Sequence, residues 1–312
     1  MEDGAQPVFA FGIIADIQYA DIEDGLNFLR TRKRFYRNSI QLLRNATRRW
    51  EEQRVKCVLQ LGDIIDGFNK RHDASEQALD TVIKEFEKSS ADVHHVWGNH
   101  EFYNFCRETL LASSLNSAAK AGCGSDLMAD DIYAYEFSPA PGFRFVVLDS
   151  YDVSLIGRDE SSEKYKRSLK LLQEHNDNPD LNHPPVFYGL EQRFVKFNGG
   201  FSREQLLWLD EVLTLADQKQ ERVTVFNPIC LAWNYEAMLS MLRSHKSVVC
   251  FMAGHDHDGG YYVDESGVHH ITLEGVIETR PDSNAFGTVY VYEDQMVLKG
   301  SGRISDKVLK YP

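Results

Sequence analysis

Short apolar runs that end abruptly in polar residues set the rhythm of the N-terminal half. Phe9 to Ala15 ends in Asp16, Val55 to Leu61 ends in Gly62-Asp63, and Val93 to Trp97 ends in Gly98-Asn99-His100. Runs of this length and composition, bounded by glycine, predict buried strands. Between them the spacing changes to that of a helix. A polar-apolar pattern carries Phe35, Ile40, Leu42, Leu43 and Trp50, and Ser75 to Lys88 carries Leu79, Val82, Ile83 and Phe86. The repeated order of strand, polar loop, helix and strand predicts βαβ units whose polar loops share one sheet edge.

From Tyr133 the pattern alters. Tyr133 to Phe137 and Phe143 to Leu148 read as a hairpin joined by Ser138-Pro139-Ala140-Pro141-Gly142, so the sheet is expected to be mixed. Residues 152–192 form a polar insertion with Asn178-Pro179 and Pro184-Pro185. It reads as a lid or substrate loop within a single domain spanning 1–312. Ser202-Arg203-Glu204-Gln205 has the form of a capping box ahead of Leu206, Leu207, Leu209 and Leu213. Gly260 to Ile304 alternates like an antiparallel edge, with strands over Val268–Leu273, Thr288–Tyr292 and Met296–Lys299.

Composition narrows the function. With 312 residues, 43% of them hydrophobic, the chain can bury a large core. A balance of 34 basic against 47 acidic residues excludes a sequence-independent nucleic-acid binder. It leaves room for an anionic substrate, because bound cations invert the field of a cleft. The five cysteines (Cys57, Cys106, Cys123, Cys230, Cys250) are odd in number and form no CxxC pair, which suits a reducing compartment. Met1 to Pro7 is polar and acidic, and Val8 to Ala15 is too short to span a membrane and lacks a basic flank. A cytoplasmic monomer with no membrane or nucleic-acid partner is the expectation.

The chemistry lies in four strings: Asp16-Ile17-Gln18, Gly62-Asp63-Ile64-Ile65-Asp66-Gly67, Gly98-Asn99-His100-Glu101 and Gly254-His255-Asp256-His257. Each puts oxygen or imidazole donors at the C-terminal end of a predicted strand, where four strings can converge on a two-metal hydrolytic centre. Asp63, central in the series, is the natural bridging carboxylate, and Asp16 would hold one ion. Asn99 offers an amide oxygen, and His255 and His257 offer two imidazoles from one turn. Mixed nitrogen and oxygen donors without thiolate favour Mn, Mg, Zn or Fe. His100 can pass a proton to a leaving oxygen or can merely tie down its loop, and Asp66 would orient that loop or His100 itself. Phe28 and Tyr103 can stack on a base or ribose, or can be core. Asp149 ends a strand facing the cleft. Of His94 and His95, and of His269 and His270, one side chain each is expected to face the core, in structural roles. His72, His175, His183 and His245 are expected in solvent.

The order Asp-x-Gln, Gly-Asp-x-x-Asp-Gly, Gly-Asn-His-Glu, Gly-His-x-His resembles the calcineurin-like metallophosphoesterases over residues 9 to about 300. The resemblance implies an α/β four-layer sandwich, with two central mixed β-sheets flanked by helices. It further implies that Asp16, Gln18, Asp63 and His257 hold one ion, and Asp63, Asn99 and His255 the other. Most members carry His where this chain has Gln18, and the harder amide oxygen tilts the expected metal toward Mn or Mg and away from Zn.

In finer detail the chain resembles a branch that hydrolyses ADP-ribose and CDP-alcohols with manganese, on four stretches: Asp16-Ile17-Gln18-Tyr19, Phe197-Asn198-Gly199-Gly200-Phe201, Cys230-Leu231-Ala232-Trp233-Asn234 and Gly254 to Gly260. That implies in-line attack by a metal-held hydroxide on a nucleoside diphosphate derivative such as CDP-choline or CDP-glycerol. Cys230 and Trp233 would line the pocket and Leu190 would approach it, while Asn198-Gly199-Gly200 reads as a turn in preference to a phosphate loop. A phosphomonoesterase, a cyclic-nucleotide phosphodiesterase or an inactive binding scaffold are the alternatives.

One implied element is missing. The family's Ser-His-x-Pro or Gly-His-x-Pro ligand segment should follow the strand Val223–Phe226, but Asn227-Pro228-Ile229-Cys230 comes at once. Because both flanks match, the expectation is a loop of about ten residues closed over in the numbering. A direct peptide bond at Phe226–Asn227 would make the deletion real.

Overall fold

The computed structural model describes residues 6–27, 29–123, 126–186 and 189–312. In chain order the strands are β1 (Phe9–Ile14), β2 (Gly25–Leu26), β3 (Lys33–Arg34), β4 (Cys57–Gln60) and β5 (Asp92–His95). There follow β6 (Tyr135–Ala140), β7 (Phe143–Val147), β8 (Arg222–Ile229), β9 (Val248–Gly254) and β10 (Gly260–Val263). The last four are β11 (His269–Thr272), β12 (Ala285–Val291), β13 (Gln295–Gly302) and β14 (Lys307–Lys310).

Two six-stranded mixed sheets form, in the orders β14-β13-β12-β1-β4-β5 and β10-β11-β9-β8-β7-β6, while β2 and β3 make a separate ribbon. The parallel strands β1, β4 and β5 stand side by side in the first sheet, and β7, β8 and β9 in the second. Their loops therefore leave each sheet at one edge.

The inner faces meet through aromatic rings. Phe11 of the first sheet lies edge-on to Phe145 at 5.0 Å and to Phe226 at 6.0 Å, and Phe9 to Phe143 at 5.5 Å. Quadrupoles favour such edge-to-face pairs over flat stacking. On the outer side, helix Ser39–Gln53 lays Trp50 across Gly12. A side chain there would come within 2.5 Å of the indole, whose Nε1 donates to the Gly287 carbonyl at 3.1 Å. Helix Arg203–Lys219 packs Leu209, Leu213 and Ala216 beside β8. Helix, sheet, sheet, helix is the layering expected.

Several local expectations need correction. The three C-terminal strands do not form one edge. His269–Thr272 runs parallel to β9 in the second sheet, whereas Ala285–Val291 and Gln295–Gly302 belong to the first, with β12 antiparallel to β1. Alternation shows that a strand has two unlike faces, not which sheet it joins. His94 and His95 are both buried, since this sheet is covered on both sides. His94 stacks on Phe137 at 3.8 Å, and His95 lies against Phe86. His245 is not in solvent: its ring nitrogens sit 2.8 Å from Asp217 and 3.0 Å from Asp210. Ser202 does cap its helix through the Gln205 amide at 3.1 Å, but the Gln205 side chain bonds both backbone groups of Asp149 instead of closing the box.

The 152–192 insertion contains the helix Glu163–His175. It packs on a small apolar cluster of Leu155, Leu172, Phe194 and Trp233, so Trp233 is core to the insertion. All five cysteines are free. Among the described residues, no helix is long and apolar enough to cross a membrane.

The junction at Phe226–Asn227 lies inside β8. Phe226 pairs with Met252, Asn227 with Ala253 and Ile229 with Gly254, with one irregularity in register between Asn227 and Ile229. The strand is unbroken, so the expected hidden loop does not exist and the deletion belongs to this chain.

Candidate metal centre

Backbone shape brings the four strings together. Asp16, Gln18, Asp63 and His255 have φ of 53°, 43°, 57° and 74°. Left-handed backbone costs a non-glycine residue of order 1 kcal/mol or more, and such positions gather at functional sites. Here each sharp turn folds the chain back immediately after a strand. The turns then hold one another: Asp16 N–H donates to the Gly62 carbonyl at 3.2 Å and Gln18 N–H to the Asp63 carbonyl at 2.8 Å. The His255 amide donates to the Asp16 carboxylate at 3.0 Å.

Glu101 clamps two loops at once. Its carboxylate accepts the amides of Asp63 (2.8 Å), Ile64 (2.7 Å) and Gly98 (2.6 Å). A β-carbon on Gly98 would stand 2.2 Å from Asp63 Oδ1. We therefore expect Gly98→Ala to reduce turnover at least ~100-fold by displacing that carboxylate, with a KM and kcat assay beside circular dichroism as the check. Near-wild-type turnover in a folded variant would refute the crowding argument.

The side chains converge in two groups. In the first, His257 Nε2 lies 3.1 Å from Gln18 Nε2 and 3.3 Å from Asp16 Oδ1, and His257 Nδ1 lies 2.9 Å from Glu278. In the second, His255 Nδ1 lies 3.1 Å from Asn99 Oδ1, which also accepts the Tyr151 hydroxyl at 3.4 Å. Asp63 lies between loops that serve both groups, its Oδ1 accepting the His100 amide at 2.8 Å.

This donor set suits hard divalent ions. Neighbouring ligands at about 2.1 Å from an octahedral ion sit roughly 3 Å apart, the spacing seen within both groups. Gln18 Oε1 is buried with no partner. Burial first, then the nearby Glu101 and Asp16 carboxylates, drive the Asp63 carboxyl well above its ordinary range. Burial alone would lower His257, but Asp16 and Glu278 carry it up to about 9. Negative charge gathered in a dry place with an unpartnered amide oxygen is what cations relieve. Among the described residues, no three His, Cys, Asp or Glu side chains make a metal cluster by themselves, and the amides of Gln18 and Asn99 lie 3.1 Å from His257 and His255.

His100 sits beside these groups. Its Nδ1 accepts the Gly67 amide at 2.9 Å, which leaves the ring proton on Nε2. Asp66 Oδ2 is 3.5 Å from the same nitrogen, and Asp66 Oδ1 accepts the Phe68 amide at 2.8 Å. Burial lowers the His100 imidazole to about 4 and that of His255 to about 4.

The substrate candidates scatter. Tyr103 packs on Gly67, meets the His100 ring at 5.2 Å and is partly exposed. Cys230 lines an apolar cavity of about 190 Å³ with Phe201, Ile229 and Met238. Leu190 is exposed on the turn Gly189–Arg193, and Phe28 lies outside the described residues. Gly199 and Gly200 are spent on packing: a β-carbon on Gly199 would lie 2.3 Å from the Ser150 carbonyl, and Gly200 bridges Val153. Asp149 is held in a buried pair with Arg107 at 2.7 Å.

Four residues were not foreseen in a role: Glu101, Tyr151, Glu278 and Arg34, which lies 3.6 Å from Glu278 and 3.7 Å from Asp66. Only Glu101 carried a signal, its place directly after Gly98-Asn99-His100.

Paired mixed sheets with acidic, amide and imidazole donors at adjoining strand ends define a metal-dependent hydrolase scaffold. The chain belongs to the calcineurin-like phosphoesterase family, whose model matches residues 9–259. It is 65% identical to the manganese-dependent ADP-ribose/CDP-alcohol diphosphatase of Danio rerio, over all of both chains. To the human protein of that name it is 50% identical, over all of this chain and 95% of the other. The crystal structure of a dimetal phosphatase from Danio rerio superposes with a TM-score of 0.96 at 64% identity, covering 98% of this chain and 100% of that one. The alignment with the Danio rerio diphosphatase spans 324 positions against 312 residues here, so at least 12 positions face no residue of this chain. That difference is of the size of the deletion inferred at Phe226–Asn227.

Proposed function

We propose that this protein is a manganese-dependent hydrolase of ADP-ribose and CDP-alcohols such as CDP-choline and CDP-glycerol, cutting the pyrophosphate bond to a nucleoside monophosphate and a phosphorylated product. The observation that carries the proposal is the meeting of Asp16, Gln18, Asp63, Asn99, His255 and His257 in a chain 65% identical throughout to a protein named for that reaction. In this reading Asp16, Gln18, Asp63 and His257 hold one cation, and Asp63, Asn99 and His255 the other. Bound divalent ions would supply an acidified water and neutralise phosphoryl oxygens.

The protein's own groups do the rest. Glu278 fixes the tautomer and aim of His257, and Glu101 fixes the loop that carries Asp63. His100, uncharged at neutral pH, presents Nε2–H as a hydrogen-bond donor to the leaving phosphoryl oxygen. Tyr103 shapes the approach beside it. The 152–192 insertion would close over the substrate as a lid. We expect His100→Asn to lower kcat about 10²- to 10³-fold with little change in KM. A KM rise at constant kcat would instead make the histidine a binding group.

The test is Mn-dependent turnover of ADP-ribose, CDP-choline and an aryl phosphate by the full chain, with a metal-free control. Release of AMP and CMP supports the proposal, and aryl phosphate turnover alone would make the protein a phosphomonoesterase. One observation favours a second reading, a binding scaffold: the segment absent at Phe226–Asn227, in a family where it carries a ligand. No turnover with any substrate, by protein shown to bind the metal, would establish it.

A further inference from the structure

Strand ends supply this centre, and they do not supply it evenly. In the first sheet β1 delivers Asp16, β4 delivers Asp63 and β5 delivers Asn99, and in the second β9 delivers His255. Between β9 and β7 stands β8, whose end delivers nothing. Asn227 is buried and committed, its Oδ1 accepting the Ser150 hydroxyl at 2.5 Å and its Nδ2 donating to the Ile229 carbonyl at 2.6 Å. Pro228 has no donor atom in its side chain, and its β-carbon would lie 3.5 Å from one built on Gly62, beside the Asp63 loop. Ile229 is apolar and buried. The neighbouring carboxylate at the end of β7, Asp149, is held by Arg107.

Resting on the metal-centre reading above, we infer that the two cation positions of this chain differ greatly in affinity. The position of Asp16, Gln18, Asp63 and His257 binds firmly. That of Asp63, Asn99 and His255 binds weakly, so that the second ion, and with it full activity, tracks the free Mn²⁺ concentration.

The donors differ in number and in charge. The firm position has four side chains, two of them carboxylates, and its imidazole is backed by Glu278 at 2.9 Å. The weak position has three, and its one charge belongs to the shared Asp63. Its imidazole faces a neutral amide at 3.1 Å, where the firm position's faces Asp16 as well. An outer carboxylate behind a ligating histidine is itself worth about 10- to 100-fold in metal affinity, and the firm position has in addition a further carboxylate and a further side chain. A difference of at least ~100-fold follows.

The experiment is a Mn²⁺ titration of the full chain, with free ion read by electron paramagnetic resonance and turnover of ADP-ribose measured on the same samples. One equivalent should bind first, a second should follow at concentrations at least ~100-fold higher, and turnover should rise with the second. His255→Ala should keep the first equivalent and lose the second. Asp16→Asn should weaken the first. Pro228→His, which sets an imidazole beside the Asp63 loop, should draw the second affinity toward the first. Saturation by one equivalent with turnover still low also supports the inference, and full turnover at one equivalent would overturn it. Two equivalents of equal affinity would overturn it while leaving the metalloenzyme intact. Folded protein that binds no Mn²⁺ at all would overturn the metal-centre reading and the inference with it.

Discussion

Asp63→Asn should cost at least ~10³-fold in Mn-dependent turnover and, at the same time, raise the unfolding temperature of the metal-free protein by a few degrees. The two effects have one origin. Asp63 is buried beside Glu101 and Asp16, and burial followed by those two charges pushes its carboxyl well above the ordinary range. A carboxyl with a folded pKa above its unfolded value is a stability loss at every pH above the unfolded value, because ionising it costs more in the fold than in the open chain. Asparagine has nearly the same shape, keeps an oxygen for the His100 amide (2.8 Å from Oδ1 here) and cannot ionise. What is lost is the charge that draws cations. Calorimetry in chelator, set beside kinetics in Mn²⁺, measures both quantities on one variant. If the melting temperature falls together with activity, the carboxylate is not under the strain described.

The second large effect is acid lability, to which the two buried rings of β5 contribute beside His100 and His255. Burial lowers His94 to about 4 and His95 to about 3, against 6.5 for the free side chain. Between those values the unfolded chain takes up protons that the folded one refuses, so stability falls as pH falls. The window opens near pH 6.5 and extends to about 4 for His94 and about 3 for His95. At 1.36 kcal/mol per pH unit the loss is on the order of 3 kcal/mol or more for each ring by the bottom of its window. Urea midpoints at pH 7 and pH 5 should differ accordingly. His95→Gln should start less stable at pH 7, having lost the contact with Phe86, but should show a smaller drop between the two pH values. An equal drop would place the acid-sensitive group elsewhere.

How far the molecule could be read in advance depended on how local each feature is. β1, β4 and β5 were legible because an apolar run ending in glycine or aspartate is a short-range pattern, and the donor positions followed from those run ends. The sheet membership of the C-terminal strands was not legible. Nothing in His269–Thr272 or Ala285–Val291 names a partner, and those partners, β9 and β1, are distant choices made by packing. His245 was misjudged because the two aspartates that take its ring lie on another helix, 28 and 35 positions back. Glu278 and Tyr151 reach the centre from a short 3₁₀ turn and a strand-end loop with no periodic signature. The junction at Phe226–Asn227 was misread for another reason. Resemblance on both sides argued for an omitted loop, whereas β8 runs on through Asn227 and Pro228, residues of poor strand propensity, with a register irregularity there.

The place of β1 bears on how the molecule is made. This strand, synthesised before both its neighbours, lies inside its sheet with β4 on one side and β12 on the other. Phe9 pairs with Val291 and Ile14 with Phe286, and Arg303, beyond β13, donates to the His257 carbonyl at 2.8 Å. A nascent chain can form β1, β4 and β5 early and present Asp16, Asp63 and Asn99 with one flank of the sheet still open. The donor turn at His255 and His257, held by Asp16 and Glu278, gains its contact with Arg303 when the last hairpin arrives. The centre is thus assembled last although its first donor is made first, so an unfinished chain carries carboxylates without the imidazoles that complete the grip on an ion. Such long-range closure slows folding and leaves an unpaired edge on the ribosome until the C-terminal strands are made.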